Sequence, residues 1–188
     1  MEEQTKTDAN AEQAAPPKPV EVRANGLSAW VRDLILIVFV FSAFLYFYRP
    51  VRVEGTSMLP QLEDEDRLLI NRHVGLIHRG EVVVFLYPHD TSKSYIKRVI
   101  ALPGDHLSID HGQVWVNGDK LKETYVPQRF EDDRSQPEMT IPEGEYFVMG
   151  DHRSISSDSR DFGPVPAQLI YGRAAFVYWP MDQAGMVR

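Results

Sequence analysis

From Ala29 to Tyr48 the chain is apolar with few interruptions, and Leu34 to Tyr48 carries no charge at all. About 20 such residues, wound as a helix, match one bilayer thickness. Trp30 near one end and Tyr46 and Tyr48 at the other stand where interfacial aromatics sit. A core helix would keep one polar face, and this run has none, so the pattern predicts a transmembrane helix over 29–48. After Arg52 the periodicity shortens. Arg67–Ile70, Glu81–Tyr87, Ser94–Ile100, Leu107–Ile109, Val114–Val116, Glu145–Met149 and Arg173–Trp179 are brief runs rich in strand formers, punctuated by Pro103-Gly104-Asp105 and Asn117-Gly118. The predicted fold is mainly β: a single amino-terminal transmembrane helix followed by an antiparallel β domain over 49–188. Within it, about 119–145 turns polar and reads as an excursion away from the core. Residues 1–28 are polar, contain Ala14-Ala15-Pro16-Pro17, and cannot bury enough surface to offset ordering entropy, so they are expected to form a flexible tail.

The flanks of the apolar run bear on topology. Lys18, Arg23 and Arg32 precede it and Arg49 and Arg52 follow, a bias toward an internal amino terminus and an external domain. A removable signal peptide fits less well, because the leader is long and acidic and large aromatics follow the run. Composition then removes function classes. The net charge is −7 with no long Lys/Arg cluster, which argues against a nucleic-acid partner. The chain has no cysteine, so a disulfide scaffold, a thiolate nucleophile and cysteine zinc sites are excluded. Six histidines are scattered without an HExxH pair, and neither a metal nor a cofactor is indicated.

Candidate chemistry begins at Glu54–Leu62, where the chain re-enters water. Ser57 stands there as a candidate nucleophile, Gly55 permits close approach of a peptide backbone, and Met58 and Leu62 supply an apolar wall. A serine needs a base. His106 beside Asp105 and His152 beside Asp151 are possible partners, although the second glycine of a nucleophile elbow is missing. Lys97 is the stronger candidate. In a strand it shares a face with Tyr95 and Val99, while Arg98 shares one with Ile96 and Ile100, so one cation must crowd an apolar face. Desolvation lowers a lysine pKa and frees the neutral amine as a base. Ser94-x-x-Lys97 is a rival reading, but that motif needs a helix and the run is β-rich. The hydroxyl-rich stretch Met149–Gly163 suits a solvated loop by composition, or a shell of hydrogen bonds around a buried amine.

Taken together, these stretches resemble the bacterial type I signal peptidases, membrane-anchored endopeptidases with a Ser-Lys dyad. The resemblance runs from the apolar run to Trp179 and rests on four boxes in the family's order: Ser57–Leu62, Gly80–Phe85, Tyr95–Asp105 and Gly150–Arg160. It implies a mostly β catalytic fold outside the cytoplasmic membrane, with membrane lipid and the signal peptides of secretory precursors as partners. Cleavage is implied after a small-x-small site. By matching position, Ser57 is the nucleophile, Lys97 its general base and Ser156 the residue that orients the amine. Asp151, Arg98, Asp158 and Arg160 would form supporting ion pairs. Val51, Val53, Met58, Leu62, Val83, Tyr95 and Ile96 are the implied pocket residues. The backbone N–H of Ser57 is the implied oxyanion donor, with Thr56 as the candidate for a second, because Gly55 stands where some members carry a donating serine. Gln61, Glu81, Ala101 and His152 also depart from the family's usual threonine, aspartate, glycine and asparagine. Self-cleaving repressors share such a dyad, but no DNA-binding segment precedes this one, and the one Ala-Gly bond, Ala184-Gly185, follows it. A tethered peptide-binding β domain with a dead site is the non-enzymatic alternative, against which stand both catalytic residue types.

Overall fold

The structure, a computed structural model, describes residues 26–187; the tail expected over 1–28 lies almost wholly outside them. Helix α1 spans Gly26–Phe47. Its apolar side chains point outward on every side, Ile35 and Phe39 being 63% and 71% exposed. None of the other described residues covers them, and the stretch Ser28–Phe47 is long and apolar enough to cross a bilayer. The helix gives way at Phe47, where Tyr48 opens the first strand. Its final turn is tied to the domain by the N–H of Arg72, which donates to the Phe47 carbonyl at 2.9 Å, and by His73, whose ring lies 4.9 Å from that of Phe47.

Strands follow in chain order: β1 Tyr48–Arg52, β2 Arg67–Asn71, β3 Val82–Tyr87, β4 Asp90–Ala101, β5 His106–Asp110, β6 Gln113–Val116, β7 Asp119–Lys120, β8 Gln136–Thr140, β9 Glu145–Met149, β10 Val165–Pro166, β11 Ile170–Trp179 and β12 Gly185–Met186. All pairings are antiparallel. The larger sheet runs β1-β2-β11-β3-β4-β9-β10, with β12 on β11, and the smaller runs β7-β6-β5-β8. The β6–β7 turn places Asn117 and Gly118 at φ 54° and 85°, the two left-handed positions that an Asn-Gly hairpin supplies cheaply.

Strand β3 explains why the larger sheet has two cores. Val82 and Val84 on one face join Leu68, Ile70, Met58, Leu62 and Val53. Val83 and Phe85 on the other join Val99, Val148, Val165 and Ile170. A central strand buried on both faces reads as a continuous apolar run. The smaller sheet closes over a third cluster built on Leu107, Ile109, Val114 and Val116. The polar segment 119–145 is no simple excursion: β8 pairs with β5, and Ile141 is buried in this third core. Leu121, Tyr125 and Met139 pack against the same core, so a few spaced apolar side chains are enough to dock a polar stretch.

Candidate active site

Ser57 sits in the turn between β1 and β2. Gly55 enters that turn at φ 89°, a left-handed conformation suited to glycine, and its N–H donates to Asp64 Oδ1 at 2.7 Å. Met58 and Leu62 pin the turn from below, with the N–H of Leu62 donating to the Met58 carbonyl at 3.1 Å. Both side chains are fully buried. The apolar residues beside the serine therefore hold it in place and form no part of the open wall expected of them.

Lys97 lies in β4 opposite Val83 of β3, 40 residues along the chain from Ser57. Its Nζ donates to Ser57 Oγ at 2.7 Å and lies 5.4 Å from the Tyr95 ring centroid. The side chain is 4% exposed. Burial lowers its pKa to about 8, against the opposing pull of the Asp158 and Asp151 carboxylates. Both of the adjacent cations are buried, not one: Arg98 is 1% exposed. It survives burial because it is saturated with partners. Its Nε and one terminal nitrogen grip Asp151 at 2.8 and 2.6 Å, and the other terminal nitrogen donates to the Gly80 carbonyl at 2.7 Å. It also donates to Gln61 Oε1 and lies over the Tyr125 ring. Gln61, the departure from threonine, thus links the nucleophile's turn to Arg98. Burial pushes the Asp151 carboxyl up, against the pull of the Arg98 guanidinium.

The second ion pair joins Arg160 to Asp158 at 2.8 and 2.7 Å. Asp158 also accepts from the N–H of Gly150 at 3.0 Å and caps the short helix α2, Ser159–Phe162. Burial alone would raise its carboxyl; Arg160 and that N–H together hold it below the ordinary carboxylate range. Arg160 extends to Asp132 at 2.6 Å, and Arg153, buried beside it, is paired with Glu123. These acids come from the polar segment 119–145, which nothing in the sequence linked to the site.

Gly150 is the residue that sequence reasoning missed most clearly. A Cβ there would stand 2.5 Å from the Ser57 carbonyl oxygen and 2.2 Å from Ser156 Oγ. Backbone of the last box therefore packs directly on the nucleophile, and the N–H of His152 donates to the Ser57 carbonyl at 3.0 Å. Gly150→Ala is expected to lower turnover on the order of a hundredfold by displacing Ser57, with kcat falling far more than KM changes; steady-state kinetics at one pH check this. The Ser156 hydroxyl is buried. It does not bond the Lys97 amine as expected: its side chain rests against Gly150 and acts on the Asp158 carboxyl, which it helps to hold low. Neither histidine contacts Ser57 Oγ: the His152 ring faces the Thr56 carbonyl, and His106 lies on β5 beside Thr140. Ser94 lies on a strand, paired with Leu86, and Lys97 bonds Ser57 in its place.

An open cleft of about 900 Å³ begins at Ser57 and Lys97. Val51, Val53, Tyr95 and Ile96 line it as expected from the sequence. Met58, Leu62 and Val83 do not, because each is sealed inside a core cluster, whereas Val53 lies at the border of one and still reaches the cleft. Val84 and Tyr171 take their place; Val84 is there because the β3–β4 register sets it opposite Ile96, and nothing in the sequence pointed to either residue. Thr56 lines the cleft too, and the N–H of Ser57 donates to no group of the chain among the described residues. One wall is β1, which ends the larger sheet. The other is the part of β4 before Arg98, beyond the reach of its pairing with β9.

A serine hydroxyl thus lies in contact with a desolvated amine, at the side of a groove walled by the edges of β1 and β4. Residues 27–179 match the family described as signal peptidase, peptidase S26. A signal peptidase I of Bacillus licheniformis is 34% identical, covering 86% of this chain and 93% of its own. One of Bacillus caldolyticus is 38% identical, covering 79% and 85%. A solved signal peptidase I of Enterococcus faecalis V583 is 30% identical with a TM-score of 0.46, covering 53% of this chain and 97% of that one. The chain belongs to the signal peptidase I family, and it is a serine endopeptidase that removes signal peptides.

Proposed function

We propose that the enzyme is held in the cytoplasmic membrane by α1 with its amino terminus inside, and that Ser57 and Lys97 act on exported precursors as a catalytic dyad. The observation that supports this most is the 2.7 Å contact between Lys97 Nζ and Ser57 Oγ within a buried setting. The neutral amine takes the Ser57 proton as Oγ attacks the scissile carbonyl. The resulting oxyanion is met by the free N–H of Ser57, with Thr56 as the second donor. The ammonium returns its proton to the leaving amine, and water then hydrolyses the ester with Lys97 again as base. Substrate pairs with the edges of β1 and β4, so alternate side chains enter the groove. Val51, Val53, Val84 and Ile96 give the groove an apolar wall there, which suits small apolar side chains and so cleavage after a small-x-small site.

The pH dependence tests the base. Below its pKa Lys97 is an ammonium and cannot accept a proton, so kcat/KM on a secretory precursor is expected to rise about tenfold per pH unit and level off near pH 8, where the folded-state pKa falls. The new amino terminus, read by sequencing, should follow a small-x-small pair. His152→Ala should keep the ascending limb. A limb near ~6.5, the ordinary histidine value, that vanishes in His152→Ala would sink the dyad.

A further inference from the structure

The cleft changes character along its length. At the Ser57 end it is walled by Val53, Val51, Val84 and Ile96, and at the other by Arg49, Ser92, Lys93 and Ser94. The change follows from strand alternation: Arg49, Val51 and Val53 share one face of the chain, as do Ser92, Ser94 and Ile96 across the groove. Three cations other than Lys97 line it. Arg52 is engaged by Glu65 and Lys93 by Asp90 at 3.1 Å. The Arg49 side chain makes no hydrogen bond or ion pair among the described residues. It also stands two residues beyond the end of α1 at Phe47, at the level where this chain's own helix stops.

We propose that Arg49 reads the end of the substrate's apolar helix, its guanidinium donating hydrogen bonds to the carbonyls that the last turn of that helix leaves unpaired. This rests on the peptidase reading above. An extended strand advances about 3.3 Å per residue, so a precursor whose last residue before the cleaved bond lies against Val53 brings the residue four positions earlier beside Arg49. A precursor helix leaving the same bilayer as α1 ends at that depth. Its last four carbonyls lack intrahelical donors and carry the negative end of the helix dipole. Guanidinium offers five donors and a permanent positive charge, matched to several carbonyls at once. Arg49 is then a specificity residue that measures the distance from helix end to cleavage bond, while the Val51–Val53 end measures side-chain size.

The test compares two substrates in a neutral, phosphate-free detergent: a precursor with its complete apolar segment, and a peptide trimmed to the four residues on each side of the cleaved bond. The readout is the ratio of their kcat/KM values. Arg49→Ala should lower that ratio about two- to fivefold, the usual worth of a cation at a helix C-terminus. Arg49→Glu should lower it about tenfold, and Arg49→Lys should restore most of it. Three extra residues between apolar segment and cleavage bond should remove the wild-type advantage of the long substrate. A ratio unmoved by Arg49→Ala overturns the inference, as does one that falls only when anionic phospholipid is added, which would give the guanidinium to lipid phosphate. Failure of the wild-type enzyme on both substrates is a different result and would overturn the peptidase reading itself.

Discussion

Ser57→Ala and Lys97→Ala are each expected to lower kcat on the order of 10⁴-fold or more while the protein remains folded and membrane-bound. The two side chains act as one unit, so the double variant should be no worse than either single change. Lys97→Arg should be equally inactive, because guanidinium does not deprotonate in this range. Lys97→Met separates chemistry from stability. The folded-state pKa of Lys97 is lowered from 10.5 to about 8. Between those values the unfolded chain binds the proton and the folded chain does not, so stability rises with pH through that window. At pH 7, below both, the folded protein holds an ammonium in a poorly solvating place, at a cost of about 3 kcal/mol. Methionine removes that cost and gives up a hydrogen bond worth about 1 kcal/mol. Lys97→Met should therefore be inactive yet unfold at a higher temperature than wild type at pH 7, with the gain shrinking toward pH 10. A lower unfolding temperature at pH 7 would refute a buried, strained lysine.

The second large effect belongs to Arg98 and Asp151, whose side chains are 2% and 0% exposed. Removing one partner of a buried pair leaves the other charged and unsolvated, which costs about 3–5 kcal/mol. Asp151→Ala is expected to destabilise by that amount. Arg98→Ala should be at least as damaging, because it also releases Gln61 and the Gly80 carbonyl. All four sequence boxes meet at this guanidinium, which belongs to one and bonds the other three, so activity should fall with stability. The double variant Arg98→Met with Asp151→Leu should recover much of the stability, since it removes both charges, but little of the activity. Denaturant midpoints of the four proteins measure this; a loss under about 1 kcal/mol in Asp151→Ala would mean that water reaches the pair.

Much of this molecule is written in local pattern. The apolar run of α1, the strand runs of β2 to β6, β9 and β11, and the Asn117-Gly118 turn all follow from neighbours along the chain, and the structure has them where those patterns lie. Ser57 and Lys97 also stand out locally, one as a serine in a glycine-led turn and the other as a cation in an apolar strand. What the local pattern does not contain is which face of a strand meets what. Alternation assigns Val82 and Val84 to one side and Val83 and Phe85 to the other, but both sides of β3 are apolar and both are buried. Hydrophobicity could not say that Val84 borders the cleft while Val83 is sealed away from it, nor that Met58 and Leu62 turn inward beneath the serine. Charge pattern likewise gave Arg98 and Lys97 as rivals for burial, when partners drawn from Gln61, Gly80 and Asp151 let both be buried. The contact of Lys97 with Ser57 arises from the β3–β4 register and the seating of Gly150 against the Ser57 carbonyl. Both are long-range events. A residue's chemical type is fixed by its own atoms, whereas its pKa and reach are fixed by atoms brought up from elsewhere in the chain, and only the folded sheet brings them.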